Sequence, residues 1–158
     1  MGTLALVALS VGVQSMRVSN LLATKGREVA TILQQRSVVD AVAMLKERGI
    51  GALVVVGNGA PLVGILSERD VVRAVADSGA AALDLKVADL MSTTITTCDE
   101  STSVDDLMGL MTRQHIRHVP VVNGVELVGL VSIGDVVKAR FDELEHEKQD
   151  LLDYVSAR

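Results

Sequence analysis

The 158-residue sequence predicts an α+β fold in which two tandem repeats pack sheet to sheet about a pseudo-twofold axis. Three observations carry that expectation. The chain aligns with itself, each copy holds two continuous apolar runs parted by Asn-Gly, and helical periodicity fills the stretches between. A three-stranded sheet of this size cannot bury both faces alone, so the two copies must share one body.

The duplication is read directly. Ser37-Val38-Val39-Asp40 lies over Ser103-Val104-Asp105-Asp106 at an offset of 66, which also sets Thr31, Ile50, Val55 and Val56 on Thr97, Ile116, Val121 and Val122. After the turn the offset is 65. Leu62-Val63-Gly64-Ile65-Leu66-Ser67 then covers Leu127-Val128-Gly129-Leu130-Val131-Ser132, and Asp70-Val71-Val72 covers Asp135-Val136-Val137. Upstream, Arg17-Val18-Ser19-Asn20-Leu21-Leu22 matches Lys86-Val87-Ala88-Asp89-Leu90-Met91 more loosely.

Each unit reads as helix, strand, helix, strand, strand, helix. Lead-in helices are expected at residues 18–23 and 87–91, and first strands at 28–33 and 94–98. Helices follow at 37–48 and 103–114; in the first, Val38, Ala41, Val42 and Leu45 recur at helical spacing and Gly49 supplies the stop. Residues 52–56 with 62–66, and 119–122 with 127–131, have the unbroken apolar character of buried strands. Asn58-Gly59 and Asn123-Gly124 should turn tightly between them, since both residues accept positive φ. The last helices begin at Glu68 and Ile133.

The expected boundaries are an apolar leader at 1–15, repeats at 16–78 and 86–140, a linker at 79–85 and a charged helix at 141–158. The leader has no charge before Arg17, unlike a secretory signal with its basic start, and Met16 offers a natural beginning. A surface-seeking helix or a signal sequence are the other readings. It falls short of the roughly 20 apolar residues of a spanning helix.

Composition excludes several classes. Phe141 and Tyr154 are the only aromatics, which leaves no platform for stacking single-stranded nucleic acid. Fifteen Lys+Arg against twenty Asp+Glu give a net charge of −5, opposite in sign to a phosphate-tracking duplex binder. Cys98 is the lone cysteine, which forbids an intrachain disulfide, fits a reducing cytoplasm and reads as a packing residue. His115 and His118 are parted by an expected helix end, so no metal site is expected. No P-loop, Gly-x-Gly-x-x-Gly or Ser-His-Asp ordering is present, and Met44, Met91, Met108 and Met111 read as core.

One element recurs with chemistry in it: Gly, two apolar residues, Ser, two variable residues, Asp. It runs from Gly64 to Asp70 and again from Gly129 to Asp135. Ser before a helix with an acid three residues on is the form of a capping interaction, and Ser37/Asp40 and Ser103/Asp106 share the spacing. The other reading is a ligand site, because a helix N-terminus attracts phosphate and a carboxylate accepts the paired hydroxyls of a ribose.

With Arg117-His118-Val119-Pro120-Val121 and Asp89-Leu90-Met91 added, the pattern resembles a tandem pair of cystathionine-β-synthase (CBS) domains from about Met16 to Arg140. The resemblance implies a non-enzymatic sensor that binds AMP, ADP, ATP, NAD or S-adenosylmethionine between the repeats, any magnesium arriving on the nucleotide. It also implies a homodimer that regulates an unidentified protein partner in trans. Asp70 and Asp135 would take ribose hydroxyls, with Ser67 and Ser132 beside them. Thr31 and Thr97 would hold the adenine or ribose edge, and Arg117 and His118, preceding Pro120, would hold phosphate. Unit one lacks that cation and proline and offers Arg69 instead. The expectation is that Asp135 with Arg117 forms the tighter phosphate site. A ligand-free interaction scaffold is the competing class, with the charged tail either packed on its own module or forming a dimer contact.

Overall fold

The structure, a computed structural model, describes residues 15–157. The expected apolar leader therefore lies, Ser15 apart, outside the described residues. The chain forms α1 (Val18–Lys25), β1 (Thr31–Leu33), α2 (Val38–Arg48), β2 (Ala52–Gly57), β3 (Ala60–Ser67) and α3 (Glu68–Ser78). A 3-10 turn (Gly79–Asp84) leads to α4 (Val87–Leu90), α5 (Val104–Gln114), β4 (His118–Asn123), β5 (Glu126–Ser132) and α6 (Ile133–Ser156). The repeat is thus present as two mixed α and β units, and β3 of one lies against β5 of the other.

The first sheet runs β1-β2-β3, with β1 parallel to β2 and β2 antiparallel to β3. The second keeps only β4 and β5. The strand expected at 94–98 is not formed, and the one expected at 28–33 shrinks to Thr31–Leu33. Of the former, one parallel bridge survives: the Cys98 N–H donates to the Pro120 carbonyl (3.1 Å) and the Cys98 carbonyl accepts from the Val122 N–H (2.9 Å). The reason lies upstream. Ser92 exchanges both backbone bonds with Ile65 of the other unit (2.8 and 3.0 Å), so the chain is engaged across the seam before it reaches β4.

The first hairpin turns at Asn58-Gly59 as expected, between paired Gly57 and Ala60, and the second differs. Gly59 (φ 80°) and Gly124 (φ 61°) take positive φ, but Asn58 and Asn123 do not. In the second hairpin Asn123 pairs with Glu126, so Gly124-Val125 makes the turn, one residue later than the Asn-Gly pair suggested. The expected linker is ordered as the 3-10 turn, with Ala82 buried.

The lead-in helices are exchanged. Val18, Leu21 and Leu22 of α1 are buried with Leu107, Met111, Val119, Val121 and Val131 of unit two. Val87 of α4 joins Ile32, Ala41, Leu45, Leu53 and Leu66 of unit one. Matching backbone bonds fix both crossings: Val18 N–H to the Thr102 carbonyl and Val104 N–H to the Met16 carbonyl, mirrored by Val87 N–H to Arg36 and Val38 N–H to Leu85. Each buried Leu or Val contributes roughly 1.5–3 kcal/mol, so a few of them match the net stability of a small domain. Neither half has a complete core without the other's helix.

The exchange also explains the motif glycines. A Cβ on Gly64 would stand 2.6 Å from Met91 Sδ and 3.0 Å from the Ser92 carbonyl oxygen; one on Gly129 would stand 2.7 Å from Leu22 Cδ2. Neither glycine has positive φ; a side chain there would crowd the crossed segments, Met91 and the Ser92 carbonyl at Gly64 and the Leu22 side chain at Gly129.

Candidate functional site

Each Gly-x-x-Ser-x-x-Asp element brings a strand end, a helix N-terminus and a carboxylate to one point. Ser67 precedes α3 and Ser132 precedes α6, and both close a capping box. Asp70 Oδ2 accepts from the Ser67 N–H and hydroxyl, each at 2.8 Å, and the Asp70 N–H donates to Ser67 Oγ at 3.4 Å. Asp135 Oδ2 accepts from the Ser132 N–H at 2.8 Å, and its own N–H donates to Ser132 Oγ at 3.2 Å. Capping and ligand binding are therefore compatible, because the box holds each carboxylate in place and leaves Oδ1 without a hydrogen bond among the described residues.

The two elements open onto different clefts. Cleft one, about 830 Å³ of free space open to solvent, is lined by Ser67, Glu68, Arg69, Asp70 and Arg73 of unit one, and by residues 94–96 and 115–118 of the facing unit. Apart from a 3.5 Å contact between Arg69 and the His115 carbonyl, its arginines are uncommitted. None of Arg69, Arg73 and Arg117 forms an ion pair among the described residues. Three guanidiniums around one anchored carboxylate suit a ligand with both an anionic group and a hydroxyl pair.

Cleft two, about 1110 Å³ of free space, is lined by Ser132, Asp135 and Leu130 against Lys25, Glu28, Ala30, Arg48 and residues 49–52. Its charges answer one another. Lys25 Nζ lies 2.5 Å from Asp135 Oδ2 and also donates to the Leu130 carbonyl, while Arg48 pairs with Glu28 at 3.2 Å. Burial works to raise the Asp135 carboxyl, but the bonds from Lys25 and Ser132 outweigh it and hold the group below its ordinary range.

His118 lines both clefts. Burial pushes its imidazole below the ordinary histidine range, Lys25 and Arg117 push the same way, and Asp135 and Glu68 oppose them. A neutral ring at pH 7 is the result, able to donate from one nitrogen and accept at the other.

The sequence-expected residues fall into place unevenly. Ser67, Arg69, Asp70, Arg117 and His118 come together in cleft one, and Ser132 and Asp135 sit in cleft two. Arg117 is thus grouped with Asp70, which corrects its expected pairing with Asp135: its backbone is bonded to Ile133 of its own unit, yet Arg117 lines the cleft at the start of α3. Thr31 and Thr97 line neither cleft, while their preceding neighbours Ala30 and Thr96 do. Pro120 is buried in β4 opposite Leu130 and lines neither cleft. Sequence reasoning missed Arg73, although it stands one turn after Arg69 on the same helix face, a legible signal. It also missed Lys25, which no local pattern marks. Among the described residues no cluster of three or more His, Cys, Asp or Glu is placed to hold a metal.

Comparison with known proteins agrees with this geometry. The CBS domain family matches residues 19–77 and again residues 87–142. A mitochondrial CBS domain-containing protein of Arabidopsis thaliana is 36% identical over 152 residues, 91% of this chain and 74% of that protein. The crystal structure of a CBS-domain-containing protein from Agrobacterium tumefaciens superposes with a TM-score of 0.78 at 43% identity, covering 80% of this chain and 96% of that one. The CBS domain pair of protein MJ0100, solved in complex with 5′-methylthioadenosine and S-adenosyl-L-methionine, superposes with a TM-score of 0.68 at 25% identity, covering 78% and 98% of the two chains. Two matched repeats, crossed lead-in helices and paired Ser-x-x-Asp clefts all converge, and the chain belongs to the CBS domain family.

Proposed function

We propose that the chain is a regulatory module that binds a phosphorylated adenosine ligand in cleft one and reports its occupancy to a protein partner in trans. The observation that carries this reading is the set of three unpaired arginines, Arg69, Arg73 and Arg117, facing the capped carboxylate of Asp70. Asp70 Oδ1 accepts the ribose diol, the arginines take the phosphates, and the adenine edge lies along residues 94–96. The MJ0100 complex supports an adenosine moiety. The arginines favour AMP, ADP, ATP or NAD over S-adenosylmethionine, whose sulfonium adds positive charge. Binding acts by linkage: a ligand that prefers one arrangement of the two units shifts their population, and the partner reads the change. The proposed role is regulatory and without catalysis, as the likeness to CBS-domain pairs suggests.

The test is thermal unfolding and calorimetry with each nucleotide. A ligand at about 100 times its Kd adds about 2.7 kcal/mol to apparent stability. ADP is expected to give such a shift and S-adenosylmethionine a smaller one. Absence of any shift with all five compounds would favour the ligand-free scaffold, and turnover assays with ATP, AMP and NAD would expose an enzyme.

Homodimerisation and a cytoplasmic site complete the proposal. On α6, Phe141, Leu144, Leu151 and Val155 are exposed at alternating three- and four-residue spacing, with Lys148 among them, a seam suited to a second copy of the same helix. Deleting residues 147–158 should then lower the mass seen by light scattering. A single cysteine, buried and with its thiol pushed up to about 11 by burial and by Asp99, asks for no oxidising compartment. Among the described residues no helix is long and apolar enough to cross a membrane.

A further inference from the structure

The two clefts share a capping box and differ in charge, and Lys25 accounts for the difference at the aspartate. Lys25 sits at the end of α1, the helix that crosses from unit one into unit two. Its ammonium bonds the same Asp135 oxygen that the Ser132 N–H caps, and it also takes the Leu130 carbonyl at the strand end. At the equivalent point of cleft one α4 stops at Leu90, and Ser92 engages the Ile65 backbone, with no cation bonded to Asp70 among the described residues.

From this contrast we infer that Lys25 is an internal ligand of cleft two: it holds Oδ2 of the Asp135 carboxylate and neutralises the charge that would strengthen a diol's bonds to the open Oδ1, so that a neutral nucleoside binds at cleft one rather than at cleft two. The inference rests on the ribose–carboxylate reading given above. A diol offers Asp135 two neutral hydrogen bonds, whereas the ammonium offers a charge-assisted one with a second bond to Leu130. Displacing it would leave Lys25 without an anion, since the neighbouring Glu28 is held by Arg48. The larger cleft is thus the closed one.

Adenosine titrations of the full chain, followed by amide NMR shifts, test the idea site by site. In the wild-type protein the amides of Ser67 and Asp70 should move and those of Ser132 and Asp135 should stay. In Lys25→Met both sets should move, with cleft-two affinity raised by at least about tenfold, the scale set by losing one charged hydrogen bond. Lys25→Arg should behave as wild type, separating the block from a general loss of structure. Wild-type shifts at Ser132 and Asp135 with the affinity of Lys25→Met, or no gain in Lys25→Met, would overturn the inference. Silence of Ser67 and Asp70 in both proteins would instead overturn the cleft-one reading, while a gain at cleft two in Lys25→Met would still uphold the role of Lys25.

Discussion

Clefts one and two share a backbone plan, a capping box and an aspartate, yet one is charged to receive and the other is charged to itself. In cleft two Lys25 answers Asp135 and Arg48 answers Glu28. In cleft one Arg69, Arg73 and Arg117 face Asp70 with no ion pair among the described residues. Duplication therefore conserves where a ligand could sit, while single side chains decide whether anything is invited there. Three guanidiniums against the carboxylates of Asp70 and Glu68 leave the charged lining of cleft one net positive, which suits an anionic ligand.

The sharpest way to break this comparison is to remove each aspartate in turn. Asp70→Ala should weaken ADP binding by at least about 30-fold in calorimetry, the scale of one or two hydrogen bonds to a charged group, whereas Asp135→Ala should change it less than about threefold. The reverse pattern would move the ligand to cleft two. Next in size are the glycines under the crossed helices. Gly64→Ala and Gly129→Ala should each lower urea-unfolding stability by about 1–3 kcal/mol, as overpacking of a filled core does. A harmless Gly129→Ala would mean that Leu22 yields where Met91 and the Ser92 carbonyl do not.

Arg117→Ala should cost about tenfold in ADP affinity and leave adenosine affinity unchanged, which separates a phosphate contact from a structural one. A pH effect is expected to be smaller. The folded His118 holds its proton less tightly than the ordinary value of 6.5, so the unfolded chain takes up a proton first as pH falls. The stability contributed by neutral His118 is therefore complete above about pH 6.5 and is lost as pH drops from there toward the folded value. Tm measured against pH should show that decline, and His118→Gln should flatten it. Smallest of all, Thr31→Ala and Thr97→Ala should alter ADP affinity by no more than about twofold, since neither side chain lines a cleft.

Much of this was legible in the amino-acid order, for a physical reason that differs by element. Helices α2 and α5 announce themselves through local periodicity and a serine cap, and α3 and α6 begin where Glu68 and Ile133 mark them. The second first-strand did not form because its fate depended on Ser92 meeting Ile65, a contact 27 residues distant in the chain. In the second hairpin the turn falls one residue beyond Asn123-Gly124 because strand register, not turn propensity, chooses the loop.

The amino-acid order alone carries the duplication and the scarcity of aromatics, which are read by comparing and counting residues, and the helices with their capped aspartates, which depend on neighbours within a few residues. Only the tertiary structure decided that the lead-in helices cross, that Arg117 joins Asp70, and that Lys25 settles on Asp135. Those outcomes depend on which surfaces meet at the seam, and burial of α1 and α4 in the opposite cores brings together charges that lie more than a hundred residues apart in the case of Lys25 and Asp135.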